Sequence, residues 1–182
     1  MTVTANPFTR VWTEADLAEL PNDGARYEII DGRLYVAPPA GEPHQALGGS
    51  IYLQLANAAP KYWRVLWEIG LAIGDNRFIP DLIVLPPGMP TADKDYNDVT
   101  VIKPQLVVEI ASRSTQTTDA GDKMIAYAQG LIPAYWRVAR DGTVFMHRLM
   151  TEDAYTLVDT VKPGDKTKVF FPFELTLTAP RP

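Results

Sequence analysis

The sequence predicts a single domain of the mixed α/β class. Two continuous apolar runs, at residues 81–85 and 106–111, have the composition of central strands that are covered on both faces. Two Asp-Gly pairs, at 31–32 and 141–142, are typical of the two-residue turns of β-hairpins. The stretch from His44 to Ala58 carries apolar residues at helical spacing. Because strands lie on both sides of helical segments, we expect helices to pack on a mixed sheet.

Local signals set the order of the elements. Thr13 is a good N-cap residue, and the apolar stripe of the second helix is formed by Leu47, Ile51, Leu55 and Ala58. In chain order we expect a helix at 13–20, a hairpin of 26–30 with 33–37, a helix at 44–58, strands at 62–67 and 71–73, the two apolar strands, a helix from 118 or 119 to 129, a hairpin of 134–139 with 143–149, and short final strands.

Composition excludes several classes of protein. The 182 residues correspond to one domain at roughly 150 residues per domain. A net charge of −5 argues against a small basic domain that coats phosphate, and the absence of Cys excludes disulfides and thiolate zinc sites. With only 2 His, any metal should be bound mainly by carboxylate oxygen. Neither a signal peptide nor an apolar stretch long enough for a membrane span is visible, so we expect a cytoplasmic protein.

Two acids stand out because they lie in the apolar strands. Glu109 is surrounded by Val107, Val108 and Ile110, and an unpaired carboxylate costs several kcal/mol to bury. Asp81 opens the other apolar run. The spacing predicts neighbouring strands, which would bring two carboxylates together as a site for Mg²⁺ or Mn²⁺. The alternative is that Asp81 caps a loop and Glu109 pairs with a structural Arg or Lys.

The helix that follows supplies a basic group. Asp119, Lys123 and Tyr127 are spaced four residues apart and share one helix face, so that Lys123 can orient a water or stabilise phosphoryl charge. The alternative is an ordinary surface ion pair between Asp119 and Lys123. We expect the apolar contact of this helix to come from Met124, Ile125 and Ala128.

An ordered set of motifs in this chain resembles the Uma2 family of bacterial proteins. The motifs are Tyr27–Gly32, Pro43-His44, Pro80–Leu82, Leu106–Ile110, Ser112–Thr115, Asp119, Lys123, Tyr127 and Pro133–Trp136. The resemblance runs from about Trp12 to about Arg148. It implies the PD-(D/E)XK nuclease superfamily and its restriction-endonuclease-like fold, an α/β/α core with a mixed central β-sheet plus additional β-hairpins.

The resemblance also implies roles for individual residues. Asp81 is similar to the Asp of the family's Pro-Asp motif and Glu109 to its second acid, so both would bind Mg²⁺ (or Mn²⁺), together with the carbonyl of Ile110. Glu28 matches an earlier acid that often completes such sites, as a ligand or as a base.

Two positions depart from the pattern. The superfamily has Lys two residues after the second acid, where this chain has Ala111. Lys123 on the next helix resembles a relocated substitute for that lysine. Arg113 lies where Ser-Pro-Ser is more usual, and it is either a phosphate contact or an exposed solubilising residue.

Several other candidates have two interpretations each. His44 begins the long helix and either takes part in the site or serves in packing or capping. Tyr127 either bonds a site carboxylate or is a half-buried structural residue. Ser112 and Ser114 are interpreted as turn caps rather than nucleophiles, because no suitable His partner is evident. His147 lies in a late strand and is interpreted as structural or exposed.

These observations favour a Mg²⁺-dependent endonuclease that hydrolyses DNA, with Glu28, Asp81, Glu109, Lys123 and His44 as catalytic residues. The alternative is a non-catalytic binding or assembly module that keeps the nuclease fold, which the acidic charge and Ala111 favour. A sugar hydrolase that uses the two acids is disfavoured, because no aromatic platform lies near either acid. A homodimer is compatible with the superfamily.

Overall fold

The computed structural model describes residues 10–112, 121–151 and 153–182. Its helices are α1 (Glu14–Leu17), α2 (Glu42–Ala58), α3 (Val99–Ile102) and α4 (Asp122–Gln129). Its strands are β1 (Arg26–Ile30), β2 (Arg33–Ala37), β3 (Arg64–Trp67), β4 (Leu71–Ile73), β5 (Asn76–Phe78), β6 (Leu82–Leu85), β7 (Asn97–Asp98), β8 (Leu106–Ile110), β9 (Ala134–Val138), β10 (Val144–Leu149), β11 (Tyr155–Val161), β12 (Lys166–Val169) and β13 (Leu175–Thr178).

A six-stranded mixed sheet is the centre of the molecule. Its strand order is β11-β10-β9-β8-β6-β3, and only β8 and β9 run parallel to each other. A five-stranded sheet of order β2-β1-β5-β4-β7 and the β12–β13 hairpin complete the β-structure of the described residues. The mixed central sheet with added hairpins confirms the expected restriction-endonuclease-like α/β architecture.

Two apolar cores lie on opposite faces of the central sheet. On one face, α2 and the β12–β13 hairpin cover the sheet, with Leu47 and Leu177 both buried in that core. On the other face, the second core brings together the five-stranded sheet, α3 and α4, through Phe78, Val99 and Tyr127. Both faces of the apolar strands β6 and β8 are therefore buried, as their composition predicts.

The predicted elements are confirmed with shifted ends. The first helix is shorter than expected. Asp16 accepts hydrogen bonds from the Thr13 N–H and hydroxyl, and the first of these bonds is the contact that the third-position acid makes in a capping box. The strand expected from Tyr62 begins instead at Arg64, because Tyr62 has a φ of 71°, which an extended strand does not permit. The short strands β5 and β7 and the helix α3 were not predicted.

The start of the last predicted helix, at 118 or 119, lies outside the described residues. The expectation that Ile125 supplies apolar contact on this helix is wrong, since 54% of Ile125 is exposed. The buried residues of this helix are Lys123, Ala126, Tyr127 and Ala128, and Met124 packs against the second core, so the expected contacts of Met124 and Ala128 are confirmed. Among the described residues, no helix combines the length and apolar character needed to cross a membrane.

Candidate active site

Two acids meet at the ends of β6 and β8. The strands pair antiparallel, with Leu82 opposite Val108 and Ile83 opposite Val107. Continued by one residue, this register sets Asp81 opposite Glu109. Because side chains alternate along a strand, Glu109 is directed to the same face as Val107, whereas Asp81 lies just before β6 and contacts residues of both β1 and α2. Asp81 and Glu109 are only 2% and 3% exposed, so neither carboxylate is solvated in the ordinary way.

The carboxylate of Asp81 is surrounded by hydrogen-bond donors. Arg26 Nη1 donates to Oδ1 at 2.6 Å, while the Ile110 N–H donates to Oδ2 at 2.7 Å. His44 Nε2 lies 3.2 Å from Oδ2. We refer to Asp81, Arg26, His44 and the Ile110 N–H as the Asp81 cluster. The Ile110 contact sets the Asp81 carboxylate directly against the peptide that joins Ile110 to Glu109.

These donors determine the protonation state of Asp81. Burial alone would raise the pKa of Asp81, but the hydrogen bond and charge of His44, together with Arg26, hold this pKa below its ordinary value. Burial likewise tends to lower the pKa of Arg26, but the charge and hydrogen bond of Asp81, together with the charges of Glu68 and Glu109, outweigh burial and raise this pKa. Asp81 is therefore an ionised carboxylate at neutral pH, with a permanent cation beside it.

The position of His44 is set by the packing of α2. His44 and Gly48 are four residues apart and lie on one helix face. A Cβ at Gly48 would approach the Trp67 ring to 2.8 Å, so the missing side chain allows α2 to lie close to β3. His44 is buried against Asp81, and its Nδ1 has no hydrogen-bond partner among the described residues.

A second group of side chains is arranged around Lys123. The Lys123 ammonium lies 2.9 Å from the Glu28 carboxylate and 3.2 Å from Glu109 Oε1. Glu28 comes from β1 of the five-stranded sheet, and its Oε1 also accepts the Ile79 N–H at 2.7 Å. Lys123 thus joins an acid of each sheet, and all three side chains are buried. This contact is the one expected under the alternative interpretation of Glu109, in which it pairs with a lysine.

Tyr127 completes this second group. One helical turn after Lys123, the Tyr127 hydroxyl donates to Glu109 Oε1 at 2.6 Å. Burial, reinforced by the charges of Glu109 and Glu28, raises the pKa of Tyr127 well above its ordinary value, so the hydroxyl keeps its proton and remains a donor. We refer to Lys123, Glu28, Glu109 and Tyr127 as the Lys123 cluster. Tyr127 is fully buried, and it does bond a site carboxylate.

The donor chemistry fits a divalent cation such as Mg²⁺. Asp81 and Glu109 offer hard carboxylate oxygens at neighbouring strands, and the hydrogen bond from the Ile110 N–H sets the backbone of Ile110 beside the Asp81 carboxylate. Within residues 10–112, 121–151 and 153–182, no three His, Asp or Glu side chains form a group suited to a metal. A cation here would rest on two carboxylates and a backbone carbonyl, with the acids already paired to Arg26 and Lys123.

The structure brings together all five residues predicted as catalytic: Glu28, His44, Asp81, Glu109 and Lys123. Arg113, Ser114 and Asp119 lie outside the described residues. His147 is partly buried on β10, two strands from β8, and its ring centre lies 5.8 Å from that of Tyr135.

Sequence reasoning missed Arg26. A signal was available, because Arg26 precedes Glu28 by two residues in β1 and therefore shares its face of the strand. A basic residue on the same strand face as a predicted site acid indicates a partner for another acid. Here that acid is Asp81.

Comparisons with known proteins agree with this architecture. Residues 14–180 match the Uma2 family, which is described as "Putative restriction endonuclease". The fold is similar to the crystal structure of a putative nuclease belonging to DUF820 from Anabaena variabilis ATCC 29413, with a TM-score of 0.70 and 18% sequence identity over 88% of this chain and 89% of that chain. No curated protein matches the chain.

Proposed function

The chain belongs to the Uma2 family, and on that premise we propose that it is a divalent-metal-dependent nuclease that hydrolyses phosphodiester bonds of DNA. The observation that carries the proposal is the contact between two buried groups. Asp81 lies against the Glu109–Ile110 peptide, while Glu109 shares Lys123 with Glu28. Such an arrangement supplies oxygen ligands and a buried ammonium at one place.

Three groups would hold the cation: the carboxylates of Asp81 and Glu109 and the carbonyl of Ile110. When bound, Mg²⁺ or Mn²⁺ lowers the pKa of a water and neutralises charge on the scissile phosphate. The low pKa of Asp81 suits this role, because the carboxylate needs no deprotonation at neutral pH before it serves as a ligand.

The remaining residues hold the acids and Lys123 in position and stabilise charge during the reaction. Lys123 keeps an ammonium beside Glu109, where it can donate to the attacking water or to the developing negative charge of the phosphoryl group. Glu28 holds Lys123 in place through the 2.9 Å ion pair. His44 holds Asp81 through Oδ2, and its side chain lies within hydrogen-bond reach of that carboxylate alone among the described residues.

Cleavage of supercoiled plasmid DNA tests the proposal. With Mg²⁺ or Mn²⁺ we expect nicked or linear product, which a chelator abolishes. Asp81→Asn and Glu109→Gln should each reduce the rate at least ~100-fold, as expected when charge stabilisation at the transition state is removed. Linear product formed directly from supercoiled plasmid would indicate paired cuts, as a homodimer would make.

Two further variants test whether the loss of cleavage is specific to the proposed site. Lys123→Met should also lose cleavage, whereas Glu14→Gln, on the exposed helix α1, should retain the wild-type rate. Wild-type protein that cleaves no nucleic acid with either metal, or full cleavage by both Asp81→Asn and Glu109→Gln, would overturn the proposal.

A second candidate function is a non-catalytic module that keeps the nuclease fold. The observation that favours it is that each site acid already contacts Arg26 or Lys123. These ion pairs neutralise the buried carboxylates without any metal and so stabilise the fold. Under this function, the protein would show neither metal binding nor cleavage, and the same variants would affect only its stability.

A further inference from the structure

The guanidinium of Arg26 occupies one side of the Asp81 carboxylate. Its hydrogen bond and its ion pairs, as far as the described residues show, all involve Nη1. Asp81 Oδ2 already accepts from His44 and from the Ile110 N–H, whereas Oδ1 accepts from Arg26. The two oxygens of Asp81 thus differ in what a cation would have to displace.

Displacement at Oδ1 is the easier of the two. The Ile110 N–H is a backbone group of strand β8 and is therefore fixed beside Oδ2. The guanidinium of Arg26, in contrast, lies at the end of a long side chain that is 18% exposed and can rotate. A metal ion that binds Asp81 therefore takes Oδ1 and repels the guanidinium from it. Asp81 needs a cation in either state, because an unpaired charge this deeply buried is costly.

A second carboxylate, that of Glu68, lies close enough to bind the displaced guanidinium. Glu68 Oε1 lies 3.6 Å from the same Nη1 atom, and Glu68 is about half exposed. Glu68 is fixed next to Asp81 because its backbone N–H donates to the Asp81 carbonyl at 3.1 Å. Arg26 therefore lies between an inner carboxylate and an outer one, and a small rotation of its side chain shifts it from the first to the second.

We propose that Arg26 is an exchangeable counter-ion: it neutralises Asp81 while the metal is absent, and it moves to Glu68 when a divalent cation binds Oδ1. This inference rests on the proposed function, since it assumes that Asp81 is a metal ligand. Arg26 is thus a positioning residue that acts through Asp81. Competition between Arg26 and the metal weakens metal affinity in the wild type and keeps the metal-free site folded.

Mn²⁺ binding to the purified chain without DNA, measured by calorimetry, tests the exchange. Arg26→Gln removes the competing charge, so its Kd for Mn²⁺ should fall about tenfold, as expected for the loss of a like charge within several ångströms. Glu68→Gln removes the outer acceptor, so its Kd should rise about threefold. Arg26→Lys keeps the charge and should stay within about twofold of the wild type.

A matched control has the same charge change elsewhere. Arg64 is a partly buried arginine whose hydrogen bonds go to the carbonyls of Met89 and Pro90, so Arg64→Gln should leave the Mn²⁺ affinity unchanged. If Arg26→Gln does not fold, Glu68→Gln still tests the sign of the effect, and Arg26→Lys tests whether a positive charge at this position is sufficient.

The counter-ion exchange and the proposed metal site would be overturned by different results. Wild-type protein that binds Mn²⁺ in a way that requires Asp81, while Arg26→Gln binds with equal or weaker affinity, would overturn the counter-ion exchange alone. Unchanged affinity in Glu68→Gln would overturn the part assigned to Glu68. Wild-type protein that binds no Mn²⁺ would overturn the metal site of the proposed function and this inference with it.

Discussion

The Asp81 cluster and the Lys123 cluster lie side by side, yet they are built with opposite chemistry. In the Asp81 cluster, one carboxylate receives three donors. In the Lys123 cluster, one ammonium is shared by two carboxylates, and a tyrosine adds a further donor. The first cluster has a surplus of donors that can yield to a metal, and the second has a surplus of negative charge that a metal can offset.

Exposure separates the clusters further. The cation of the Asp81 cluster, Arg26, has an 18% exposed side chain, whereas the side chain of Lys123 is only 4% exposed. A cation near solvent can be replaced at little cost, whereas removing a fully buried cation leaves its partner charges uncompensated. Substitutions in the Lys123 cluster should therefore cost more stability than those in the Asp81 cluster.

Lys123→Met should give the largest loss of stability. It leaves Glu28 and Glu109 buried without their shared cation, which should cost about 3–5 kcal/mol in the free energy of unfolding. Urea denaturation measures this loss. Lys166→Met, at an exposed position of β12, is the matched control and should change stability little. A loss of under about 1 kcal/mol for Lys123→Met would show that Lys123 is not a structural cation.

Asp81→Asn should have a somewhat smaller effect. The amide is uncharged and cannot accept at both former oxygen positions, so the bonds from Arg26 and Ile110 weaken, at a cost of about 3 kcal/mol. Arg26 itself can turn to Glu68 and to solvent, which limits the loss. A cost above that of Lys123→Met in the same urea experiment would contradict the ranking of the two clusters.

The pH dependence of stability tests the charge of Asp81. Its pKa is below the ordinary value of an aspartate, so ionised Asp81 stabilises the folded chain above that ordinary pKa, and this contribution is lost as the pH falls through the lower folded-state pKa. Unfolding free energies measured between pH 7 and pH 2 should fall less steeply at the acid end for Asp81→Asn than for the wild type. Identical slopes would mean that Asp81 is not stabilised as a carboxylate.

Tyr127→Phe removes one donor from Glu109 while Lys123 remains. We expect a loss of about 2 kcal/mol, typical of a buried hydrogen bond to a charged group. Because the raised pKa of Tyr127 disfavours its ionisation in the folded state, the wild type should also lose stability as the pH rises above 10, and Tyr127→Phe should lose less. Equal alkaline profiles would argue against the bond to Glu109.

The smallest effect should come from an ion pair outside both clusters. Glu14 and Arg77 are 2.6 Å apart, but the Glu14 side chain is 50% exposed. Glu14→Gln should change the free energy of unfolding by less than about 1 kcal/mol. A larger change, measured under the same urea conditions, would indicate that burial does not account for the difference between ion pairs in this protein.

Much of the site follows from local sequence patterns, and the part that does not follow depends on tertiary contacts. The apolar runs around Asp81 and Glu109 correctly indicated neighbouring strands, because fully buried strands need apolar residues on both faces. Helical spacing correctly placed Lys123 and Tyr127 on one face, but it did not decide which face is buried, so the interpretation of Ile125 was wrong.

Local patterns did not determine which acid each cation contacts. Arg26 meets Asp81 across 55 positions in the sequence, and Glu28 meets Lys123 across 95. These contacts depend on how the five-stranded sheet packs against the central sheet, which no periodicity within β1 determines. The same packing explains why the Asp81 and Lys123 clusters are adjacent although β1 contributes a residue to each.

Calorimetric titration with Mn²⁺ of the wild type, Asp81→Asn and Glu109→Gln tests the central claim most directly. We predict one Mn²⁺ site per chain in the wild type and no measurable binding at the same concentrations in either variant, with all three proteins folded by circular dichroism. Undiminished Mn²⁺ binding in both variants, or no binding by the wild type, would contradict a metal site formed by Asp81 and Glu109.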